Sequence, residues 1–388
     1  MPVTTGSVLT SDIAAQKVPV HMDEKIHFEE ESAFRFESIT RRFRPVASVD
    51  NMKIEFMEHE LYKRVLTCSA AESGQTISVD HPEYAHRDMG VYNTRTHETY
   101  LMAEDIGGTG SAGKITVVNQ TGSGNITNAT ADGDLLIIMP EAHAEGEALP
   151  PAFSNKPTFF STYLQQSDKT LKYSDLSKGQ REYGENQYLI DRRQGWISYK
   201  QAMNLKLLLG GEVRETTSGD GRRHMMRGLR DWITTNKENM GPAGGVLSLA
   251  TIGEMMRETM VMGVSSDSKI GLAGSNSLTA LSALPISQIR TTVSETSWGK
   301  KITQIVTPFG PLSFAYDKTL SAEFGLADNF IILDPVSVHR VQFKNMAPHM
   351  MLNVTNAEDI HNTIDAITGT YGLKVVYESL CAWFYGIS

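Results

Sequence analysis

The sequence predicts an α+β fold with a β-rich front, a helical middle and a mixed end. Three observations predict it. Residues 53 to about 155 carry short alternating apolar and polar runs between turn formers. Residues 158–241 contain no proline and hold the strongest helical spacing in the chain. From Ile289 onward β-rich runs return, punctuated by proline and glycine. At roughly 150 residues per domain, 388 residues suggest two or three compact units.

Residues 1–52 read as an arm. The first twenty are small and polar, with Pro2 and Pro19; an acidic patch, Glu29–Glu31, and a basic one, Arg41, Arg42 and Arg44, follow. Apolar residues are too sparse there for a core. The arm is expected to gain order only by lying on a neighbour.

The β excursion comes next. Lys53-Ile54-Glu55-Phe56 and Thr76-Ile77-Ser78-Val79 alternate, and Ile115–Val118 and Leu135–Met139 are β-rich. Gly107-Gly108, Gly122-Ser123-Gly124 and Asp132-Gly133 separate the later runs. The segment is long, polar and light in aromatics, so it is expected to be poorly equipped to stand alone.

The spine of the middle is a helix over about 178–209. Ser177 with Gln180 forms a capping-box pair. Leu189, Trp196, Tyr199, Met203 and Leu207 follow at spacings of 7, 3, 4 and 4, one face of a helix and its candidate core side. Gly210-Gly211 is a fitting stop. About 30 residues give a rod of roughly 45 Å. Gly184 and Gly195 weaken it by up to about 1 kcal/mol each, so tertiary contacts must hold it. A second helix is expected over Arg222–Thr234 and a third over Leu247–Met262, with Leu249, Ile252, Met256 and Met260 on one side. Lys269–Ala273 reads as a short strand, and Ser275 as the cap of a short helix ending at Leu284. Later strands are expected at Ile302–Val306, Leu312–Tyr316, Phe330–Leu333, Val338–Phe343 and Leu373–Trp383.

Composition excludes several classes. Hydrophobic residues make up 40% and charged residues 21%, which is ordinary for a globular chain. A net charge of −9 argues against a dedicated nucleic-acid reader, though not against a protein that encloses nucleic acid. Two cysteines, Cys68 and Cys381, support neither a disulfide framework nor a four-cysteine zinc site. They read as reduced thiols of an intracellular product. Apolar runs of about five residues fall far short of the roughly twenty that a membrane span needs. Met1–Thr10 lacks the basic flank and apolar core of a secretory signal.

No motif points to catalysis, a cofactor or a metal. Gly108 to Lys114 has the spacing of a phosphate-binding loop, but Ile115 stands where Ser or Thr should reach magnesium. The stretch also continues as a strand where a helix N-terminus is needed. His81-Pro82-Glu83 lacks a partner Pro-Cys-x-x-Cys, and no His-Glu-x-x-His or Gly-x-Ser-x-Gly occurs.

Charge distribution says more. Lys178–Arg230 holds eleven basic residues against six acidic ones, a local +5 within a chain of −9. Arg181, Arg192, Arg193, Arg222, Arg223, Arg227 and Arg230 are the candidate inner-surface or inter-subunit residues. They read either as a solvated helix face with ordinary ion pairs or as a surface facing polyanion or an acidic neighbour. The methionine pairs Met255-Met256 and Met260/Met262 read as core filling or an adaptable contact surface.

Arm, β excursion, long helix, mixed domain and returning strands, in that order, resemble the major capsid proteins of tailed bacteriophages (Caudoviricetes). Five stretches carry the resemblance: Gly133-Asp134-Leu135, Glu145-Gly146 followed by Pro150, Trp232-Ile233-Thr234-Thr235-Asn236, Phe309-Gly310-Pro311-Leu312 and Ile331-Ile332-Leu333-Asp334-Pro335. Together they span about residues 40–385.

The resemblance implies the tailed-phage capsid fold. Its parts would be an N-terminal arm (1–52), an extended β loop with a small β insertion (53–157), and a peripheral domain with the spine helix (158–240). An axial domain (241–319) and strands returning to the peripheral domain (320–388) would complete it. It implies a structural, non-enzymatic role, with pentamers and hexamers closing an icosahedral head in the host cytoplasm. The implied partners are copies of the chain, a separate scaffolding protein, a portal, decoration proteins and packaged double-stranded DNA held without base reading, with no membrane. No additional N-terminal scaffolding region is visible, so the chain is expected to enter the shell uncleaved. Other readings stay open at this point. They are a cellular nanocompartment shell of the same fold, an enzyme with a β-rich accessory region, and a tail protein forming rings or tubes.

Overall fold

The computed structural model describes residues 35–43, 46–59, 63–103, 113–119, 124–142, 145, 156–179, 186–214, 223–260, 265–266, 268–282, 289–290, 303–354 and 362–387. The chain divides into two compact units, Met57–Phe159 and a larger one of Met1–Phe56 with Phe160–Ser388. Elements run as follows. Helix α1 (Arg35–Phe43) precedes strands β1 (Ala47–Val49) and β2 (Lys53–Glu58). Then come β3 (Val65–Thr67), β4 (Thr76–Val79), β5 (Met89–Asn93), β6 (Thr99–Met102), β7 (Gly113–Val118) and β8 (Leu135–Glu141). Strands β9 (Thr158–Tyr163) and β10 (Gln165–Ser174) lead to helices α2 (Asp175–Gly179) and α3 (Gln187–Leu209). Short elements follow: β11 (Val213–Arg214), β12 (His224–Met225), α4 (Leu229–Trp232), β13 (Lys237–Asn239) and α5 (Leu249–Glu258). Next are β14 (Lys269–Ala273), α6 (Ser275–Ser282), β15 (Ile289–Arg290), β16 (Thr303–Thr307) and β17 (Gly310–Tyr316). The last are β18 (Phe330–Leu333), β19 (Val338–Phe343), β20 (His349–Met351), β21 (Asn362–Val375) and β22 (Ala382–Tyr385). The mixed class expected from sequence is the class observed.

The smaller unit is a six-stranded sheet in the order β3-β8-β5-β6-β7-β4. Alternation puts Ile115 and Val117 of β7, Ile77 and Val79 of β4, and Leu136 of β8 inside. Leu66, Val91, Tyr100 and Met102 complete a core of its own. The expectation that this stretch lacks the means for one is therefore corrected. Two apolar residues per short strand suffice once six strands share a face. Cys68 lies in this core, and burial pushes its thiol up to about 12. Lys114 sits on β7 and pairs with Glu72 at 3.7 Å.

The larger unit holds two large sheets, besides the two-stranded ribbon β11-β12. One runs β1-β19-β21-β10, with β20 also on β21. The other runs β13-β22-β18-β14-β17-β16-β15. Strand β18 is buried at all four positions, as its Phe-Ile-Ile-Leu composition requires. Trp383 of β22 is fully buried, and its indole N–H donates to Asn329 Oδ1 at 2.8 Å.

Four expectations about elements are corrected. The long helix begins at Gln187, where Asn186 Oδ1 accepts from Tyr188 N at 2.9 Å. Ser177 lies inside the separate helix α2, and Gln180 is outside the described residues. The helix expected over Arg222–Thr234 shrinks to α4. Gly228 N donates to Gly210 O at 2.6 Å, and a Cβ on Gly228 would stand 2.4 Å from Gly210 N, so an extended glycine breaks the spacing there. The single strand expected over Leu373–Trp383 is two strands, because Tyr377 adopts φ 52 and turns the chain. Finally, α1 falls inside the expected arm yet packs on its own chain, with Phe36 and Ile39 in the core. Residues 1–34 lie outside the described residues.

Candidate functional site

Helix α3 is the beam of the larger unit. It packs against α1, α4, β10 and β21. Its inward side carries Ile190, Tyr199, Met203, Leu207 and Leu208, all buried. Leu189 is 58% exposed, a correction to the expected core face: neighbouring Ile190 takes the inward place. Trp196 is half-buried and stacks on Tyr199, with ring centroids 5.9 Å apart and planes at 13°. The Tyr199 hydroxyl accepts from Ser167 Oγ at 2.9 Å, and burial raises its pKa to about 12.

The predicted basic residues do not form one open strip. Arg192 points inward at Asp365, with Nε 3.4 Å from Oδ2. That carboxylate is fully buried and also accepts from Tyr188 Oη at 2.7 Å and from Asn353 N at 2.9 Å. Burial first, then this hydrogen bond, raises the Tyr188 pKa. Arg227 is likewise held, with Nε 2.9 Å from Asp231 Oδ2 and the guanidinium 4.4 Å from the Trp232 ring centroid. Arg193, Arg223 and Arg230 are exposed. Arg181 and Arg222 lie outside the described residues.

The structure also assembles a buried polar cluster that helical spacing did not reveal. Arg340 of β19 donates through Nη1 to Glu37 of α1. The Glu37 N–H donates to Asn204 Oδ1 at 2.9 Å. Asn204 Nδ2 donates to Asp317 at 3.1 Å and to Thr319 Oγ1 at 2.9 Å. Asp317 accepts from Phe36 N at 2.7 Å. All these residues except Phe36 are polar, and all are buried. The available signal was Asn204 on the inward face of α3 beside Met203, and Arg340 between Val338 and Val341 on β19. A polar residue at an apolar register position asks for a partner.

A second pair is wholly enclosed. Lys269 Nζ lies 3.3 Å from Asp334 Oδ2, and both side chains are fully buried. The ammonium also donates to Thr259 O at 2.7 Å and Leu380 O at 3.0 Å. Burial lowers its pKa, against the pull of Asp334. Two of the stretches singled out in the sequence acquire a physical role here. Asp334 is the carboxylate of this pair. Thr234 and Thr235 both bind the Glu378 carboxylate, and Asn236 Nδ2 donates to Ser379 O at 2.6 Å.

These charges hold elements together. Among the described residues no three His, Cys, Asp or Glu side chains gather as a metal site, and no helix is long and apolar enough to cross a membrane. The remaining notable feature is exposed apolar surface: Leu176 is 83% exposed, Phe159 70% and Val246 66%.

The family model for the SU10 major capsid protein matches residues 39–388. No curated protein sequence matches the chain. Among solved structures, the capsid of cyanophage P-SCSP1u aligns at 9% identity over 97% of this chain and 96% of that chain, with TM-score 0.49. The capsid of Myoviridae phage XM1 aligns at 11% identity over 96% and 98%, with TM-score 0.49. The holo-SrpI encapsulin complex from Synechococcus elongatus PCC 7942 aligns at 11% identity over 60% and 76%, with TM-score 0.40.

Proposed function

The chain belongs to the SU10 major capsid protein family, and from that membership we propose that it closes an icosahedral phage head around double-stranded DNA through pentamers and hexamers. The family match over residues 39–388 carries this reading. A structural subunit of a virion shell follows from the family itself. Pentamers, hexamers, packaged DNA, a separate scaffold, a portal, decoration proteins and assembly in the host cytoplasm are the finer parts of the proposal.

A shell subunit repeats one heterologous contact around each symmetry axis. Exposed Leu176, Phe159 and Val246 are the kind of surface that such contacts cover. In this reading residues 1–52 act as the arm and 53–157 as the extended loop. Residues 158–240 form the peripheral domain and 241–319 the axial domain, and 320–388 return to the former. Exposed Arg193, Arg223 and Arg230, with Arg181 and Arg222, would face polyanion or a neighbouring subunit. Arg192 and Arg227 contribute less, being neutralised by Asp365 and Asp231. The role is structural and not catalytic. The family names a capsid protein, so a nanocompartment shell is the less favoured reading.

The test is negative-stain microscopy of the purified chain, alone and with a co-expressed scaffold. Closed shells, or free pentamers and hexamers, are expected. Nuclease-protected DNA inside shells made during infection supports the head reading, and enclosed enzyme cargo supports a nanocompartment. A monodisperse monomer that persists with the scaffold would overturn the assembly reading.

A further inference from the structure

We infer that the outer edge of β10 is a docking site for β10 of a second copy of this chain. The two strands run antiparallel with Thr170 at the centre, so that Asp168 of each copy faces Lys172 of the other. Strand β10 ends its sheet and pairs with β21 alone among the described strands. Its ladder shows which groups the edge presents. Thr370 N donates to Met346 O, and Ile364 O accepts from Val354 N, so these residues of β21 turn those backbone groups away from β10. Opposite them stand Gln166 and Lys172. Facing residues of an antiparallel pair alternate between bonded and non-bonded. Gln166, Asp168, Thr170 and Lys172 are therefore the non-bonded set, with N–H and C=O directed outward. Among the described residues no other backbone group bonds them. The side chains of the same four residues are exposed. Helix α3 covers the opposite face, where Ser167 bonds Tyr199.

An exposed edge strand is a template for another strand, and its charge pattern says which. With Thr170 on a two-fold axis, Thr170 faces itself, Asp168 faces Lys172 and Gln166 faces Ser174. An axis through Asp168 sets carboxylate against carboxylate, and one through Lys169 sets ammonium against ammonium. An axis through Leu171 places Lys172 opposite Thr170 and Asp168 opposite Ser174. The Thr170 register is the one that joins opposite charges, and it does so twice. Both groups also have partners within their own chain. Asp168 accepts from Thr368 Oγ1 and from Gln166 Nε2 at 3.3 Å, and Lys172 is engaged as well. A carboxylate can accept several hydrogen bonds and an ammonium can donate several, so the inter-chain pair adds to these contacts. Each facing pair exchanges about two backbone hydrogen bonds, so the central three supply about six. The exposed ion pairs add little strength but fix the register. Such a contact is isologous, as the two-fold axes of an icosahedral shell require. The inference rests on the assembly reading for its supply of a neighbouring copy at close range.

Disulfide trapping in the full chain, under conditions that close shells, tests it. Thr170→Cys puts two sulfurs beside the axis, where facing residues stand about 5.5 Å apart at Cα, within disulfide range. Ser174→Cys, exposed on the same strand, is the control, because its two copies would lie about 26 Å apart along the strands. Native Cys68 and Cys381 are buried, which keeps background low. Thr170→Cys is expected to form disulfide-linked dimers at least about tenfold faster than Ser174→Cys. Gln166→Cys combined with Ser174→Cys is expected to regain the dimer. Adding Asp168→Lys to Thr170→Cys should slow cross-linking by about tenfold, and so should Lys172→Glu, which leaves Asp168 in place. Exchanging both, Asp168→Lys with Lys172→Asp, should restore the rate. Equal rates for Thr170→Cys and Ser174→Cys, or no restoration by the exchange, would overturn the proposal. Shells that close without any Thr170→Cys dimer would overturn it and leave assembly standing. Dimers in the absence of shells would uphold it and count against assembly alone.

Discussion

Arg340 and Glu37, 303 positions apart in the chain, form a buried ion pair that fastens helix α1 to strand β19. The pair is embedded: Glu37 N–H binds Asn204, and Arg340 Nη2 reaches Met203 Sδ at 3.5 Å, so α3 is the third member of the joint. A buried pair is weak evidence for net stability, because both ions lose water. Removing one partner is a different matter, since the other remains charged in an apolar setting.

Arg340→Met is therefore expected to destabilise the subunit by about 3 kcal/mol, the lower end of the range for breaking a buried pair. The lower end applies because Arg41 Nε stands 3.6 Å from the same Glu37 oxygen and partly compensates. The double variant Arg340→Met with Glu37→Leu should recover much of the loss. Urea denaturation of the four-member cycle measures both. A single-variant cost below about 1 kcal/mol would mean that water reaches the pair.

The same joint separates the two parts of the N-terminal segment. Deleting residues 1–34 should leave the subunit folded, because α1 and its partners remain. Deleting residues 1–50 removes Phe36 and Ile39, exposed by 0% and 3%, together with Glu37. Loss of two buried side chains at about 2–5 kcal/mol each approaches the whole stability of a domain. The longer truncation should yield insoluble or molten protein, and the shorter one soluble protein with an unchanged melting temperature. Equal behaviour of the two truncations would show that α1 contributes little.

On α3 the sharpest test compares adjacent residues. Ile190→Ala should cost about 2–5 kcal/mol, as for a buried aliphatic side chain. Leu189→Ala should stay within about 0.5 kcal/mol, because that side chain is 58% exposed. Trp196→Ala should fall between, near 2 kcal/mol, as the ring is half-buried against Tyr199. Chemical denaturation of the three variants reads the order directly. A costly Leu189→Ala would restore the face expected from sequence.

Much of the fold was legible because burial alone dictated it. Phe330–Leu333 and Val338–Phe343 are strands over the bounds their apolar runs suggest. The misreadings share a cause: local spacing carries no information about distant partners. Seven-residue spacing chose Leu189 over Ile190, since both fit a helical stripe to within one position. Arg223, Arg227 and Arg230 look helical by spacing, yet Gly228 must approach Gly210 closely. The basic count over 178–230 was visible, but not that Asp365 would neutralise Arg192 across 173 positions. The joint of Glu37, Asn204, Asp317 and Arg340 depends on four segments meeting, which no window of sequence contains.

In the smaller unit, Asp134 predicts a pH dependence. Arg95 Nε donates to Oδ1 at 2.6 Å, Ala131 N to Oδ2 at 2.8 Å and Asn93 Nδ2 to Oδ2 at 3.1 Å. Gly133, at φ 84, turns the chain so that the carboxylate meets these donors. Chiefly through Arg95, its pKa falls from the ordinary 3.8 to about 2. A depressed carboxyl pKa stabilises the folded state above the unfolded pKa, and the contribution disappears as pH falls through the folded one. The stabilisation should thus be complete above about pH 5 and fade between about pH 4 and 2. Asp134→Asn has no such charge to lose. The melting-temperature gap between wild type and Asp134→Asn should accordingly be widest near neutrality and narrow steadily toward pH 2. A gap that stays constant over that range would mean that the Asp134 carboxylate is not held by Arg95 in solution.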